Sequence, residues 1–351
     1  MNKILIILIS VLIVWNVFLT AELNKNQNVN NENKSEVVVE NYVNGFSTDL
    51  TKVVPNIQSS IVSIKTENSQ ASGVIVKQIE NMVYVATNYH AIEGSEIFLV
   101  QLDNFTSLSA DLIGYDAISD VAVLGFKYNY DVKPINFGNS SLLKKGEFVL
   151  AIGSPISNEY RGSLSLGIIS SANRIVDVFI NEHSYFVNMI QSDVTLNDGN
   201  SGGALVNMAG DLIGLNTMIL NIEDAKGMSF SIPSNELKLI VDEIIETGSA
   251  TKVNLGLKVF PVSELKSYQK SNMNIALDQV KGLYVSDAKM DFTGYYLGIK
   301  PGDIILEIND HKMNNIDDLI MEEYSLDKHI GVSIMRAGSL MNLEGEVGLS
   351  D

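Results

Sequence analysis

Ser192-Asp193-Val194-Thr195-Leu196-Asn197-Asp198-Gly199-Asn200-Ser201-Gly202-Gly203-Ala204-Leu205-Val206-Asn207 sets a serine inside a run of glycines and then continues as an apolar strand. Glycines on both sides let the backbone turn sharply around Ser201 and expose its hydroxyl. They also leave amide N–H groups free to converge on a developing oxyanion, and Gly199, Asn200 and Ser201 are the candidates for that cradle. A serine hydroxyl is a weak nucleophile on its own, so it needs a base, and the base needs an orienting acid. His90 follows the apolar run Met82-Val83-Tyr84-Val85-Ala86, and Asp120 stands at the mouth of Val121-Ala122-Val123-Leu124. Asp116 is the competing carboxylate. The order is His90, Asp120, Ser201, with gaps of 30 and 81 residues.

Gly-x-Ser-x-Gly also matches the strand–turn–helix elbow of the α/β-hydrolases, which requires a histidine after the serine. The only later histidines are His311 and His329, far downstream, and the serine is followed by strand-forming rather than helical sequence. The elbow is therefore rejected. Around the serine, residues 60–232 carry short apolar runs separated by turn signals, including Ala209-Gly210-Asp211, which reads as a hairpin turn. Many short strands without a long helix predict a barrel pair or a sandwich. A helix then closes the domain: Ser234 is the expected N-cap, Leu237, Ile240, Val241, Ile244 and Ile245 share a face, and Gly248 is the expected stop. Residues 252–348 read as a separate mixed module, with Ile304–Ile308 a strand, Asn309-Asp310 a turn and Ile316–Glu323 a short helix.

Composition narrows the chemistry further. The 351 residues are 46% apolar and 19% charged, enough for a large core. With 42 acidic against 24 basic residues and a net charge of −18, the chain is a poor nucleic-acid ligand. It has no cysteine, which excludes disulfides, thiolate metal sites and cysteine nucleophiles. Its four histidines show no paired metal-ligand spacing, so neither a metal nor another cofactor is expected.

At the start, residues 4–21 hold only Ser10, Asn16 and Thr20 as polar members behind Lys3. As a helix this stretch is about 27 Å long, close to the ~30 Å of a hydrocarbon layer. It reads as a cleaved leader or an uncleaved membrane anchor, and Leu19-Thr20-Ala21 is a poor cleavage site, which favours the anchor. Residues 22–48 follow as an asparagine-rich tether, with the structured part opening near Phe46.

Four blocks, ATNYHAI, GYDAISDVAVL, SDVTLNDGNSGGALVN and KGMSFSIPSN, resemble the corresponding segments of the HtrA (DegP/DegS) serine endoproteases. The resemblance covers roughly residues 50–348. It implies a mostly β architecture: a trypsin-like double β-barrel over 49–248, then one small α+β PDZ domain over 252–348. With one N-terminal membrane segment over 1–21, the layout is most similar to DegS. Transferred by position, Ser201 is the nucleophile, His90 the general acid/base and Asp120 the residue fixing its tautomer. Leu255, Gly256 and Leu257 correspond to the loop that binds peptide C-termini, and Gly298-Ile299-Lys300-Pro301-Gly302-Asp303 to the PDZ turn. The family implies an ATP-independent endopeptidase of the periplasm, held at the inner membrane by residues 4–21 and assembled as a homotrimer, with polypeptide substrates and Tyr42 and Phe46 as contact aromatics. Its position in that compartment is soluble instead if the leader is cleaved. The alternative is a catalytically silent peptide-binding sensor or holdase. Asp198 and Ala71 depart from the usual family residues.

Six residues before the serine, where trypsin-like enzymes of basic specificity carry an aspartate, stands Thr195. With Leu196, Met228 and Phe230 it is the expected substrate pocket, suited to a small or medium aliphatic side chain. Asn200 carries no charge to pair with a chain terminus, so the 196–200 loop must be ordered by other contacts, and the HtrA resemblance implies that these involve a loop at 173–184, a loop at 218–227 and the C-terminal module. His183 is read as an exposed bystander.

Overall fold

Strand-forming sequence between 61 and 233 closes into two six-stranded antiparallel barrels in the computed structural model, which describes residues 15–17, 20, 50–103, 105–154, 162–180, 182–197, 199–218, 227–265 and 281–348. The first barrel comprises β1 (Ile61–Lys65), β2 (Gln70–Ile79), β3 (Met82–Thr87), β4 (Phe98–Gln101), β5 (Ser107–Asp116) and β6 (Val121–Lys127), in the order β1-β2-β3-β6-β5-β4. The second comprises β7 (Phe148–Gly153), β8 (Ser163–Ile180), β9 (His183–Ser192), β10 (Ala204–Asn207), β11 (Leu212–Thr217) and β12 (Ser229–Pro233), in the order β10-β11-β12-β9-β8-β7. Among the described residues, closure leaves free strand edges only where the β8–β9 hairpin runs on beyond its barrel. Val62, Ile64, Ile75, Val85, Val100 and Leu124 are fully buried in the first barrel. Ile169, Ile190, Leu205 and Ile213 do the same in the second.

The expected strands and the Ala209-Gly210-Asp211 turn fall where the sequence put them, the turn joining β10 to β11 with Gly210 at φ 89°. The expected loop at 173–184 is instead the outer half of a long hairpin, paired out to Ile180–His183. Residues 219–226, most of the second expected loop, lie outside the described residues.

Helix α1 (Ser234–Thr247) buries Leu237, Ile240, Val241 and Ile244, and ends at Gly248 with φ 87°. Ser234 does not cap it. Pro233 occupies the N-cap, and the buried Ser234 hydroxyl donates to Gly138 O at 2.9 Å, tying the helix start to the preceding segment.

Beyond it, β13 (Leu257–Pro261), β14 (Leu283–Ala288), β15 (Ile304–Ile308), β17 (His329–Arg336) and β18 (Ser339–Glu346) form one sheet in that order, with β16 (His311–Lys312) paired to β15. Asn309 and Asp310 join β15 to β16 at φ 48° and 68°, a two-residue turn of the mirror-image type that suits the twist of a hairpin. Helix α2 (Thr293–Tyr296) is a single turn. Helix α3 (Ile316–Ser325) runs two residues past its expected end and opens on a reciprocal cap between Asn315 and Asp318.

By contacts the chain divides into Met1–Val54 and Pro55–Asp351. The described residues of the first unit, 15–17, 20 and 50–54, are helical. The rest of the expected membrane segment and tether, with Tyr42 and Phe46, lies outside the described residues, among which no helix is long and apolar enough to cross a membrane. Within the second unit the C-terminal sheet packs directly against the barrels. Lys252 is buried between them, its Nζ 2.7 Å from Glu236 Oε1 on α1 and 3.5 Å from Glu323 Oε2 on α3. Burial alone would push the Lys252 ammonium down, but the two carboxylates outweigh it and hold it above its ordinary range. On the β8–β9 hairpin Asp177 pairs with Lys289, and Asn254 Nδ2 donates to Phe186 O at 3.0 Å.

Candidate active site

The hinge between the barrels is a hydrogen-bonded knot around Ser72 of β2. Its N–H donates to Ser201 O at 2.9 Å and its hydroxyl to Gly199 O at 2.6 Å, while Ser154 N donates to Ser72 Oγ at 2.7 Å. Opposite, Gly202 N donates to Asn216 O at 2.9 Å and Asn216 N to Gly203 O at 2.8 Å. The serine loop is therefore held by β2 of one barrel and β11 of the other. Gly202 has φ 79°, and a Cβ there would stand 2.2 Å from Ser72 O, so no side chain fits. Ser201 leads straight into β10, as a strand rather than a helix.

His90 follows β3, and Asp120 occupies the four-residue turn between Asp116 and Val121 that joins β5 to β6. Asp120 is buried and takes φ 57°, a left-handed conformation that aspartate tolerates better than most residues. Its carboxylate meets His90 Nδ1 at 2.8 and 2.9 Å and accepts His90 N–H at 2.9 Å and the Thr217 hydroxyl at 2.7 Å. A carboxylate facing Nδ1 requires the proton there, which leaves Nε2 as the acceptor. Asp116 takes no part: its carboxylate accepts Ile118 N–H at 3.0 Å and the Tyr324 hydroxyl at 3.1 Å. The choice between the two carboxylates falls on Asp120.

Ser201 and His90 line one cavity of about 610 Å³, and no hydrogen bond joins the two side chains. Such contacts commonly tighten only when substrate is bound. Gly199 lines the same cavity and has φ 87° in a turn closed by Asn200 N–H to Asn197 O at 2.9 Å. Asp198 lies outside the described residues. Asn200 Oδ1 is buried without a partner, and its neighbour is the backbone of Gly153.

Leu196, Met228 and Phe230 line the cavity as expected, with Met218 beside them. Thr195 does not. It is exposed, and its N–H donates to Ser165 Oγ at 2.8 Å. The serine stands beyond the turn that Asn200 N–H closes on Asn197 O, so counting back six residues overshoots the cavity, and Leu196 is the residue that reaches it. Thr217 and Ser72, which hold the acid and the serine loop, went unseen in the sequence because no motif or spacing distinguishes them from strand residues. Tyr89, next to His90, stacks on Tyr115 with centroids 4.2 Å apart. Burial, Tyr115 and Glu93 push its hydroxyl up to about 12, so it stays neutral.

In the C-terminal module Leu255, Gly256 and Leu257 are buried at the start of β13. Leu255 N–H donates to Glu323 Oε1 and Gly256 N–H to Asn254 Oδ1, each at 2.9 Å. These two amides already have acceptors within the chain.

A family model described as a trypsin-like peptidase domain matches residues 71–215. The serine protease Do-like HtrB of Bacillus subtilis is 32% identical over 277 residues, 78% of this chain and 60% of that protein. The serine protease Do-like HtrA of Lactobacillus helveticus is 32% identical over 282 residues, 79% of this chain and 68% of that protein. The chain thus spans about three fifths of the length of the Bacillus relative. Among solved structures, the HtrA-type protease AlgW with tripeptide superposes with a TM-score of 0.63 at 28% identity, covering 86% of this chain and 97% of that one. Identity sustained over more than two thirds of both chains in the Lactobacillus comparison, on a shared two-barrel fold, reflects common descent: the chain belongs to the HtrA/Do-like family of serine proteases.

Proposed function

We propose that this chain is an ATP-independent serine endopeptidase of the cell envelope that cleaves misfolded or signalling polypeptides. The observation that carries the reading is the buried Asp120 carboxylate on His90 Nδ1, at the rim of the cavity that Ser201 also lines. With Nδ1 protonated, His90 Nε2 takes the Ser201 proton as Oγ attacks the carbonyl carbon. The N–H groups of Gly199 and Ser201, shaped by the turn through Asn200, receive the oxyanion. Asp120 stabilises the imidazolium, which returns its proton to the leaving amine, and water then releases the acyl group by the same relay. The apolar walls Leu196, Met218, Met228 and Phe230 suit an aliphatic side chain before the scissile bond, and Glu93 is the carboxylate that also lines the cavity.

In this reading residues 252–348 are a PDZ domain that answers to peptide C-termini at Leu255–Leu257, residues 4–21 hold the protein at the inner membrane facing the periplasm, and the chain assembles as a homotrimer. The buried Glu323 carboxylate on Leu255 N–H stands where a peptide carboxylate would bind, so peptide binding requires Glu323 to yield.

The test is labelling by a fluorophosphonate, compared with Ser201→Ala, and cleavage-site mapping on an unfolded substrate. Labelling lost in the variant and cuts after valine, alanine or similar residues are the expected results. An unlabelled wild-type protein that still binds peptides would identify a silent sensor, and cuts after lysine or arginine would overturn the pocket.

A further inference from the structure

The turn that carries Asp120 is also gripped from the far side of the chain. Tyr324, in the last turn of α3, places its hydroxyl 3.1 Å from Asp116 Oδ2 and 3.0 Å from Ser119 Oγ. A phenol has one proton to give. It goes to the carboxylate, so Ser119 donates to Tyr324, and the bonds run in one direction: Ser119 hydroxyl to Tyr324, Tyr324 to Asp116. Asp116 in turn accepts Ile118 N–H at 3.0 Å. Residues 116, 118 and 119 of the turn are thereby fixed, and the next residue is Asp120, buried at φ 57°.

We propose that Tyr324 is a positioning residue for the catalytic acid: its hydroxyl braces the Asp116–Ser119 turn and so holds the Asp120 carboxylate on His90. The proposal rests on the serine-peptidase reading above. It makes part of the C-terminal module a structural component of the active centre. Three features support the assignment. Asp120 sits in a loop, not a strand, so its main chain is held not by a β ladder but by Asn88 Nδ2 and Tyr89 N–H on its carbonyl, at 3.0 and 3.3 Å, and by the turn before it. The Tyr324 ring is itself fixed, with the Lys252 ammonium 5.5 Å from its centroid and that ammonium anchored by Glu236 and Glu323. Burial and the nearby Asp116 and Glu236 carboxylates hold the phenol well above its ordinary range, so it remains a donor.

The experiment uses the full chain with Tyr324→Phe, which keeps the ring and removes the bridge. Turnover of a peptide substrate is measured against pH and normalised to the fraction of Ser201 that a fluorophosphonate titrates. A misplacement of about 1 Å costs up to ~100-fold. Loss of one brace out of several is expected to lower kcat about 10-fold, with KM within about twofold. The acidic limb of the kcat/KM profile should also move to lower pH, because a loosened carboxylate favours the imidazolium less. Asp116, Lys252, Glu236 and Glu323, the charged groups around the phenol, all remain in the variant. A purely structural role would reduce the titratable fraction while leaving kcat per titrated serine and the pH limb unchanged, and that result overturns the proposal. If Tyr324→Phe does not fold, Ser119→Ala decides by the same criteria, since it removes one end of the bridge and leaves α3 intact. A wild-type protein that no fluorophosphonate labels would sink the peptidase reading itself, a result distinct from a labelled wild type with an unaffected variant.

Discussion

Replacing Asp120 by asparagine tests the centre of the mechanism with a change of one atom. In the native turn Oδ1 accepts His90 N–H at 2.9 Å, and Oδ2 accepts the Thr217 hydroxyl at 2.7 Å while facing His90 Nδ1 at 2.8 Å. An amide must keep its oxygen on the backbone N–H, because that donor cannot turn. Its NH₂ group then replaces Oδ2. Thr217 can rotate its hydroxyl and accept instead, so the fold is expected to survive. His90 adapts less cheaply: the NH₂ now stands at the 2.8 Å position and favours a lone pair on Nδ1, while the retained oxygen at 2.9 Å is already committed to His90 N–H, so the ring proton shifts towards Nε2 and the base is lost. The imidazolium also loses its counter-charge. In a serine protease of the same triad design, this exchange lowers kcat about 10⁴-fold. A loss of about 10³ to 10⁴ is expected here, equivalent to about 4–5.5 kcal/mol of barrier. Fluorophosphonate labelling should slow by a similar ratio, since it needs the same base. Asp116→Asn is the control, because Asp116 does not touch His90 and should cost about tenfold or less. If Asp120→Asn keeps more than about a tenth of wild-type kcat, or if Asp116→Asn costs as much, the tautomer argument fails.

Three further outcomes follow from the packing. Lys252→Met leaves Glu236 and Glu323 buried without their cation and should cost about 3–5 kcal/mol in urea unfolding at neutral pH. Burial raises the Glu323 carboxyl above its ordinary value even with Lys252 present, and the variant should raise it further. The folded state then binds more protons than the unfolded one above pH ~4.5, so the deficit should shrink as the pH falls from 7 towards 5; a constant deficit would contradict the pairing. Gly202→Ala places a Cβ 2.2 Å from Ser72 O and 2.4 Å from Thr87 Oγ1 at φ 79°. Labelling of Ser201 should be lost, and a variant that labels normally would show that the loop is not held as described. Glu323→Ala frees Leu255 N–H and should raise the affinity for peptides ending in a free carboxylate, read by fluorescence polarisation; unchanged affinity would mean that this amide is not part of the peptide site.

The barrel strands, the α1 face and the candidate triad were legible because each depends on local chemistry. β2, β3, β6, β7 and β11 bury continuous apolar runs, α1 repeats its apolar residues at helical spacing, and the glycines at 199, 202 and 203 announce a turn no other residue makes. Thr195 was misplaced because a position counted along the chain ignores the bend at Gly199. The hairpin at 173–184 reads as a loop because the charged Arg174 and Asp177 interrupt its apolar runs with no period of two, although Val178 is buried and Phe179 exposed once it pairs.

The chain's residue types alone establish a serine between glycines, a histidine and an aspartate at strand ends, and a series of short strands that fits a barrel pair or a sandwich. Only the folded arrangement sets the Asp120 carboxylate on His90, brings in Thr217 and Ser72, and lays Tyr324 against the turn that carries Asp120 across more than two hundred residues of chain. The physical reason is range. Turn, strand and helix preferences act over a few neighbouring residues and are written in composition and period. A hydrogen bond of about 3 Å between distant segments depends on how whole sheets pack, and a lone threonine or tyrosine in a strand or helix carries no local mark of the partner it will meet.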